Sequence, residues 1–419
     1  MSLSPSQKFA ALIGIDWSDR KHDICLFDLT TQEIEFSQIA HSPEAIEAWV
    51  HLLSQRFPGQ TLAICTEQKR GPLVYALHKY EQLTLYPVNP QTVASYRKAF
   101  KPSRSKDDPS DAFIMMDLLR RHRDKLSPWS PDSTSMRQLQ SLVEMRRKLV
   151  QDRVRCTNQL IGALKNFYPQ AVELFADKST LIFCDFVTQY PNLETAQAAT
   201  EEELCSFFKQ HNSMYPKINQ ARIQLIQEAI PLTQEQGVIL PFQMMAQAIA
   251  TQLRVLLGHI QVFENAIAEL FAAHEDAFIF ESLPGAGPNL APRLLAAFGE
   301  QRSRYGSAQE LSQFVGVAPV TEASGKKKWV HWRWFCPKFL RQSFVEWADY
   351  SRQYSFWAKA FYAQQKSQGK SHQVIMRALA FKWIRILYRC WQDRKPYDEA
   401  KYLLALQKKG SPLVAHLAG

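Results

Sequence analysis

The sequence predicts an α/β domain at the N-terminus, then a long helical segment, then a mainly α-helical C-terminal domain. Three observations predict it. Strand-like runs crowd the first 90 residues and alternate with short helical patterns. Apolar residues recur at heptad spacing across 242–270. Beyond residue 275 the pattern is helical, interrupted by a Gly- and Pro-rich turn and by one stretch of basic and aromatic residues.

Each element follows from local pattern. Residues 10–17 (AALIGIDW) and 22–29 (HDICLFDL) read as adjacent strands, and 32–40 (QEIEFSQIA) alternates like a third. Pro43 opens a helix to about Gln55, proline being suited to a first helical turn. The run 61–65 (TLAIC) suits a buried strand. A helix near 72–80, a strand at 83–88 and a helix over 109–122 complete a mixed-sheet α/β domain, 1–130. From 134 to 168 the pattern is one long basic helix, with Arg146, Arg147 and Lys148 among its surplus cations, read as a polyanion contact or as a solvated face. The seam Phe242, Met245, Ile249, Leu253, Leu256, Ile260, Phe263, Ile267 and Leu270 is that of a coiled coil, paired with the 134–168 helix or with another protomer. Residues 131–273 form this helical segment, with an irregular insertion near 170–235, and 274–419 the last domain.

Of the 419 residues, 46% are hydrophobic and 21% charged, which excludes wholesale disorder. Fifty Lys and Arg against 40 Asp and Glu give a net charge of +10, so a polyanionic partner is expected. Seven irregularly spaced cysteines without a C-x-x-C pair argue against a zinc ribbon and for a reducing, cytoplasmic setting. No signal peptide and no membrane span are expected.

Four acids stand at strand ends and a helix start. Asp16 closes the first strand, Glu67 follows TLAIC, and Asp108 and Asp111 open the helix of SKDDPSDAF. Singly, each reads as a turn or capping residue. As an ordered set they can converge at one sheet edge, where clustered carboxylates repel unless they hold cations. Hard oxygen donors select Mg²⁺ or Mn²⁺. Asp107 competes with Asp108 for the third place, and the D-x-x-D spacing favours Asp108.

Near the C-terminus, LPGAGPNLAPRLL matches a helix-hairpin-helix, in which Gly285 and Gly287 let backbone amides approach a phosphate; the alternative is a tight interhelical turn packed inside the protein. Between Glu322 and Glu346 no acid occurs, while Lys326, Lys327, Lys328, Arg333, Lys338 and Arg341 interleave with Trp329, Trp332, Trp334, Phe335 and Phe339. Such a mixture suits phosphates and stacked bases. Ser324, ahead of Gly325 and three lysines, is a candidate nucleophile or simply part of a turn.

The ordered acids resemble those of the RNase H-like fold and, within it, the RuvC-like resolvases. Taken with GIDWSDRKHDI, TEQKRGPLVYAL, SKDDPSDAF, LPGAGPNLAPRLLAAFG, GVAPVTEASGKKK and GKSHQVIMRALAFKWIRILY, the chain resembles the DEDD transposases of insertion sequences that act as bridge-RNA-guided recombinases. The resemblance implies a RuvC-like catalytic domain, a coiled coil and a transposase domain. It implies Mg²⁺ held by Asp16, Glu67, Asp108 and Asp111, and Ser324 forming a phosphoserine link to DNA. It further implies donor and target DNA, a noncoding guide RNA, and a homo-oligomer, dimer or tetramer, in which the carboxylates come from a neighbouring protomer. Such a protein works in a prokaryotic cytoplasm, at the nucleoid when active. Two other readings stand beside it: a metal-dependent junction-resolving nuclease that uses water, and a nucleic-acid-binding scaffold whose acids hold no metal.

Overall fold

The computed structural model describes residues 8–68, 70–100, 108–325 and 327–413, with the backbone alone at 100 and 108–110. Asp107, Lys326 and the Asp108 side chain therefore lie outside the described residues. Two compact units divide after Pro131.

The first unit holds β1 (Ala11–Asp16), β2 (Lys21–Asp28), β3 (Ile34–Ala40), α1 (Pro43–Arg56), β4 (Leu62–Thr66), α2 (Pro72–His78), β5 (Leu83–Pro87), α3 (Pro90–Phe100) and α4 (Asp108–His122). The sheet order is β3-β2-β1-β4-β5. β1 pairs antiparallel with β2 and parallel with β4, so the sheet is mixed, as the sequence predicts. Strand alternation sorts the core into two layers. Ile13, Ile15, Ile24, Leu26, Leu62 and Ile64 meet Trp49, Val50 and Leu53 of α1 and Leu73, Val74 and Leu77 of α2. Leu12, Cys25, Phe27, Ala63 and Cys65 point the other way, onto Ala112, Met115, Met116 and Leu119 of α4. Gly14 lets α4 approach β1 this closely: a Cβ there would overlap the Ala112 carbonyl oxygen and stand 2.5 Å from the Met116 nitrogen. The pattern reading missed α3, a short helix of mostly polar residues whose Val93 is buried.

The second unit begins with α5 (Thr134–Leu164), continues through α6 (Pro169–Glu173), α7 (Leu181–Gln189), α8 (Leu193–Ala198), α9 (Glu201–Gln210) and α10 (Pro216–Glu228), and returns along α11 (Gln236–Ala272). α5 and α11 form an antiparallel hairpin. Met136, Leu139 and Val143 pack with Ile267 and Phe271 at one end, and Leu160 and Leu164 with Ile249 and Leu253 at the other. Of the two pairings open to the heptad seam, the structure takes the intrachain one. α11 is long and apolar enough to cross a membrane by length and composition alone, but its buried positions face α5 and the short helices. Those helices, α6–α10, occupy the stretch near 170–235 that the sequence reads as helical without a regular period. They close a core of Phe175, Phe183, Phe186, Phe207 and Phe208 packed largely edge to face, and Asn192 and Thr200 start two of them with capping boxes. Helices this short show an apolar face for only one or two turns, as Leu204, Phe207 and Phe208 do in α9, so no long period marks them in the sequence.

The chain then forms α12 (Ala277–Glu281), α13 (Gly287–Phe298), α14 (Ala308–Phe314), the hairpin β6 (Val320–Ser324) and β7 (Lys327–His331), α15 (Lys338–Tyr354), α16 (Phe356–Ser367), α17 (His372–Asp393) and α18 (Glu399–Lys408). Trp347, Trp357 and Trp383, all fully buried, stack at the centre with ring centroids 4.6–4.8 Å apart.

Candidate active site

The parallel ladder of β1 and β4 ends at Ile15 opposite Thr66, so Asp16 and Glu67 follow side by side at the carboxyl edge of the sheet. Asp16 belongs to the strand face covered by α4, the face of Leu12 and Gly14 in β1, and Glu67 follows directly on β4, whose Ala63 and Cys65 share that face. Contact at Gly14 places Ala112, and with it Asp111 in the first turn of α4, on that face. Tertiary structure thus brings three of the four predicted acids to one edge of one domain. Asp108 begins α4 three residues earlier.

Asp111 is 3% exposed. Its Oδ2 meets Arg97 of α3 at 2.5 Å, while its buried Oδ1 has no hydrogen-bond partner. Sequence reasoning missed Arg97, because nothing local ties α3 to the acids. It also missed Asp23, which faces Asp16 directly across the β1–β2 pair and accepts from Gln38 Nε2 at 2.6 Å. The two-strand turn DWSDRKHD is the signal that could have found it: its register sets the two acids opposite one another. Like charges directly across a pair are unfavourable unless something positive lies between them. Among the described residues no three His, Cys, Asp or Glu are grouped closely enough to hold one metal ion. The donor chemistry nevertheless suits a hard cation: carboxylate oxygens at one edge, one of them buried and unpartnered.

In the second unit, Ser324 ends β6 and faces Lys327 across a two-residue turn, where Gly325 takes φ +56°. Both strands are solvent-exposed almost throughout. Lys327, Lys328 and Lys338 are exposed, and so are Trp334 and Phe335 at 74% and 75%. Lys326 lies outside the described residues. Arg333 and Arg341 are turned inward. Arg333 Nε donates to the Ala318 carbonyl at 3.1 Å, and Arg341 Nη1 to the Arg333 carbonyl at 2.8 Å. The Arg341 and Arg377 guanidiniums each stand 4.3 Å from the Trp332 ring centroid, which fixes the base of the hairpin.

The other residues expected at a polyanion have the following surroundings. Arg146 donates through Nε to Glu264 Oε1 at 3.0 Å, and Arg147 through Nε to Gln342 Oε1 at 3.1 Å. Both guanidiniums serve helix packing, whereas Lys148 remains exposed. The Gly285 backbone meets α15: a Cβ there would lie 2.9 Å from the Tyr350 carbonyl. With φ +72° and that contact, Gly285 sits in a tight interhelical turn that only glycine fits. Gly287 is exposed with open space around it.

The α/β unit with its acidic edge and the helical unit with its basic hairpin have counterparts among known proteins. Residues 13–169 match the DEDD family of IS110 elements, described as a transposase, and residues 277–363 match the family described as "Transposase IS116/IS110/IS902 family". Over 395 residues the chain is 28% identical to the "Mini-circle putative transposase for IS117" of Streptomyces coelicolor, covering 93% of this chain and 95% of that protein. It is 26% identical over 321 residues to the "Insertion element IS116 uncharacterized 44.8 kDa protein" of Streptomyces clavuligerus, 74% of this chain and 77% of that one. It is 25% identical over 304 residues to the "Insertion element IS900 uncharacterized 42 kDa protein" of Mycobacterium paratuberculosis, 70% and 73%. The protein is a transposase, an enzyme that acts on DNA. It belongs to the IS110/IS116/IS902 family of insertion elements.

Proposed function

We propose that the chain cuts and rejoins DNA through a covalent link to Ser324, assisted by Mg²⁺ and directed by a noncoding guide RNA. The observation that carries this reading is the placement of Ser324 at the tip of a ribbon exposed on both faces and flanked by lysines. A two-stranded ribbon is marginal alone. This one presents Trp329 and Val330 as well as charge, which suits a partner that stacks and carries phosphates.

Ser324 Oγ attacks the phosphorus, and an Oγ–P bond forms as the bond to a deoxyribose oxygen breaks. The hydroxyl proton leaves Oγ, and the departing oxygen takes one up. The bond energy is conserved in the phosphoserine, so a second deoxyribose hydroxyl can reverse the step and rejoin the strand. Lys327 and Lys328 neutralise phosphate charge around the attack. Asp16, Glu67 and Asp111, with Asp108, would hold the metal, whose part is to polarise the phosphate. Arg97 holds one Asp111 oxygen and leaves the other free for a cation. Acids and serine belong to different units, and in a dimer or tetramer the acids of one protomer serve the serine of another. The fold has no order of elements that contradicts a RuvC-like domain: three strands, then parallel β4 and β5, then α4 across the face.

The test incubates the full chain with end-labelled DNA and Mg²⁺ and denatures the mixture. Wild type yields a covalent protein–DNA adduct, and Ser324→Ala yields none. An adduct that survives the substitution overturns the nucleophile. Free 5′-phosphate ends without adduct would instead favour water as nucleophile. The guide RNA is read by sequencing the RNA that copurifies and comparing it with DNA flanking the gene.

A further inference from the structure

At the opposite end of the first unit from the acids lies an open concavity of about 600 Å³. It is lined by Phe9, Leu12, Phe27 and Leu119 below, and by Lys8, Arg120, Arg121, Arg123 and Asp124 around the rim. Four cations thus face one acid. The Arg120 guanidinium lies 4.2 Å from the Phe27 ring centroid, and that of Arg123 lies 5.1 Å from Phe9. Both rings are buried, at 2% and 8% exposure, so they are fixed platforms. A guanidinium laid on a ring keeps its N–H edge free for an anion. Among the described residues no carboxylate lies within ion-pair distance of Lys8, Arg120 or Arg123, while Arg121 is held by Asp117 Oδ1 at 2.8 Å.

The simplest explanation of basic residues here is the helix macrodipole, which favours cations in the last turn of α4. That accounts for Arg120 and Arg121. It does not account for Lys8, which comes from the chain before β1, or for Arg123, which lies beyond the helix end. Two separate stretches of chain, residue 8 and residues 120–123, converge their charge on one hollow, and among the described residues only Arg121 of the four cations has an acid within ion-pair distance.

We propose that this hollow grips the phosphodiester backbone of duplex DNA, away from the bond being cut. DNA is the polyanion this enzyme acts on, and guanidiniums preset on aromatic rings match phosphate oxygens in pairs. Leu12 and Asp16 are four residues apart on one strand, roughly 13 Å. Phosphates held in the hollow are therefore several nucleotides from any phosphate at the acidic edge. Such contacts anchor the substrate without reading its sequence.

The test uses the full chain carrying Lys8→Gln, Arg120→Gln and Arg123→Gln together. Binding to a fluorescent duplex of arbitrary sequence is measured by anisotropy across a salt series. Three lost phosphate contacts should flatten the slope of log affinity against log salt by roughly 2–3 units. The charge-preserving set Lys8→Arg, Arg120→Lys and Arg123→Lys should restore most of the slope. Should the triple variant lose its far-UV helix signal, Arg120→Gln alone, at an exposed position, should flatten the slope by roughly one unit. An unchanged slope on duplex DNA overturns the proposal, including the case where only a single-stranded RNA probe loses affinity. The Ser324 adduct is scored separately, so a failed nucleophile assignment and a failed backbone grip give different results.

Discussion

Replacing Gly14 by alanine places one methyl group where α4 crosses β1. The new Cβ would stand 2.5 Å from the Met116 nitrogen and closer still to the Ala112 carbonyl oxygen, both backbone atoms of α4. Ordinary contact needs about 1 Å more, and neither atom can swing aside as a side-chain tip does, so the whole helix must lift. Overpacking of this kind costs about 1–3 kcal/mol, which urea denaturation of the purified chain would resolve. The functional effect should be larger than the stability loss suggests. α4 carries Asp111, while Asp16 and Glu67 stay on the sheet, so lifting the helix separates acids that the proposed mechanism uses together. A misplacement of about 1 Å at a reacting centre is worth on the order of 100-fold in rate. Gly14→Ala should therefore form the covalent DNA adduct on the order of 100-fold more slowly even at DNA concentrations that saturate binding, the condition being needed because α4 also carries Arg120 and Arg121 of the basic hollow. Wild-type stability together with a wild-type rate would show that α4 does not rest on β1 at this glycine.

Two further predictions concern stability. His22 is fully buried, and burial, with the nearby charge of His41, lowers its pKa from 6.5 to about 4. The unfolded chain then binds a proton that the folded chain refuses, so this group's contribution is complete above pH 6.5 and is lost as the pH falls toward 4. Moving from pH 7 to pH 5 should cost wild type about 2 kcal/mol through this residue, and His22→Gln should flatten that dependence; identical pH profiles for the two proteins would contradict it. Trp383 is fully buried, donates from Nε1 to Ser351 Oγ at 2.7 Å and stacks on two other tryptophans. Trp383→Ala should cost about 3–5 kcal/mol in chemical denaturation, and a loss below about 1 kcal/mol would mean that the indole stack is not the centre of that core.

Much of the α/β unit was legible in the chain. Strand alternation sorts Ile13 and Ile15 from Leu12 and Gly14, and that alternation names both faces of the sheet before any contact is known. The long helices were legible for the same reason, since Leu253, Ile260 and Ile267 keep a heptad phase over many turns. Sequence by itself therefore determined most element types of the α/β unit, the long helices, the basic-aromatic segment around Ser324 and the candidate acids, because each is a local pattern or a residue identity, whereas the strands β6 and β7 within that segment were not read from it. Tertiary structure alone decided which of those residues meet. It set Asp23 opposite Asp16, brought Arg97 to Asp111, turned Arg146 and Arg147 into helix packing, and pressed Gly285 against α15. It also gathered Lys8 with Arg120 and Arg123, more than 110 positions away, over two buried rings. The reason is physical: periodicity reports what a residue's near neighbours demand of the backbone, whereas the partner of a charge is fixed by the packing of elements that no local pattern relates.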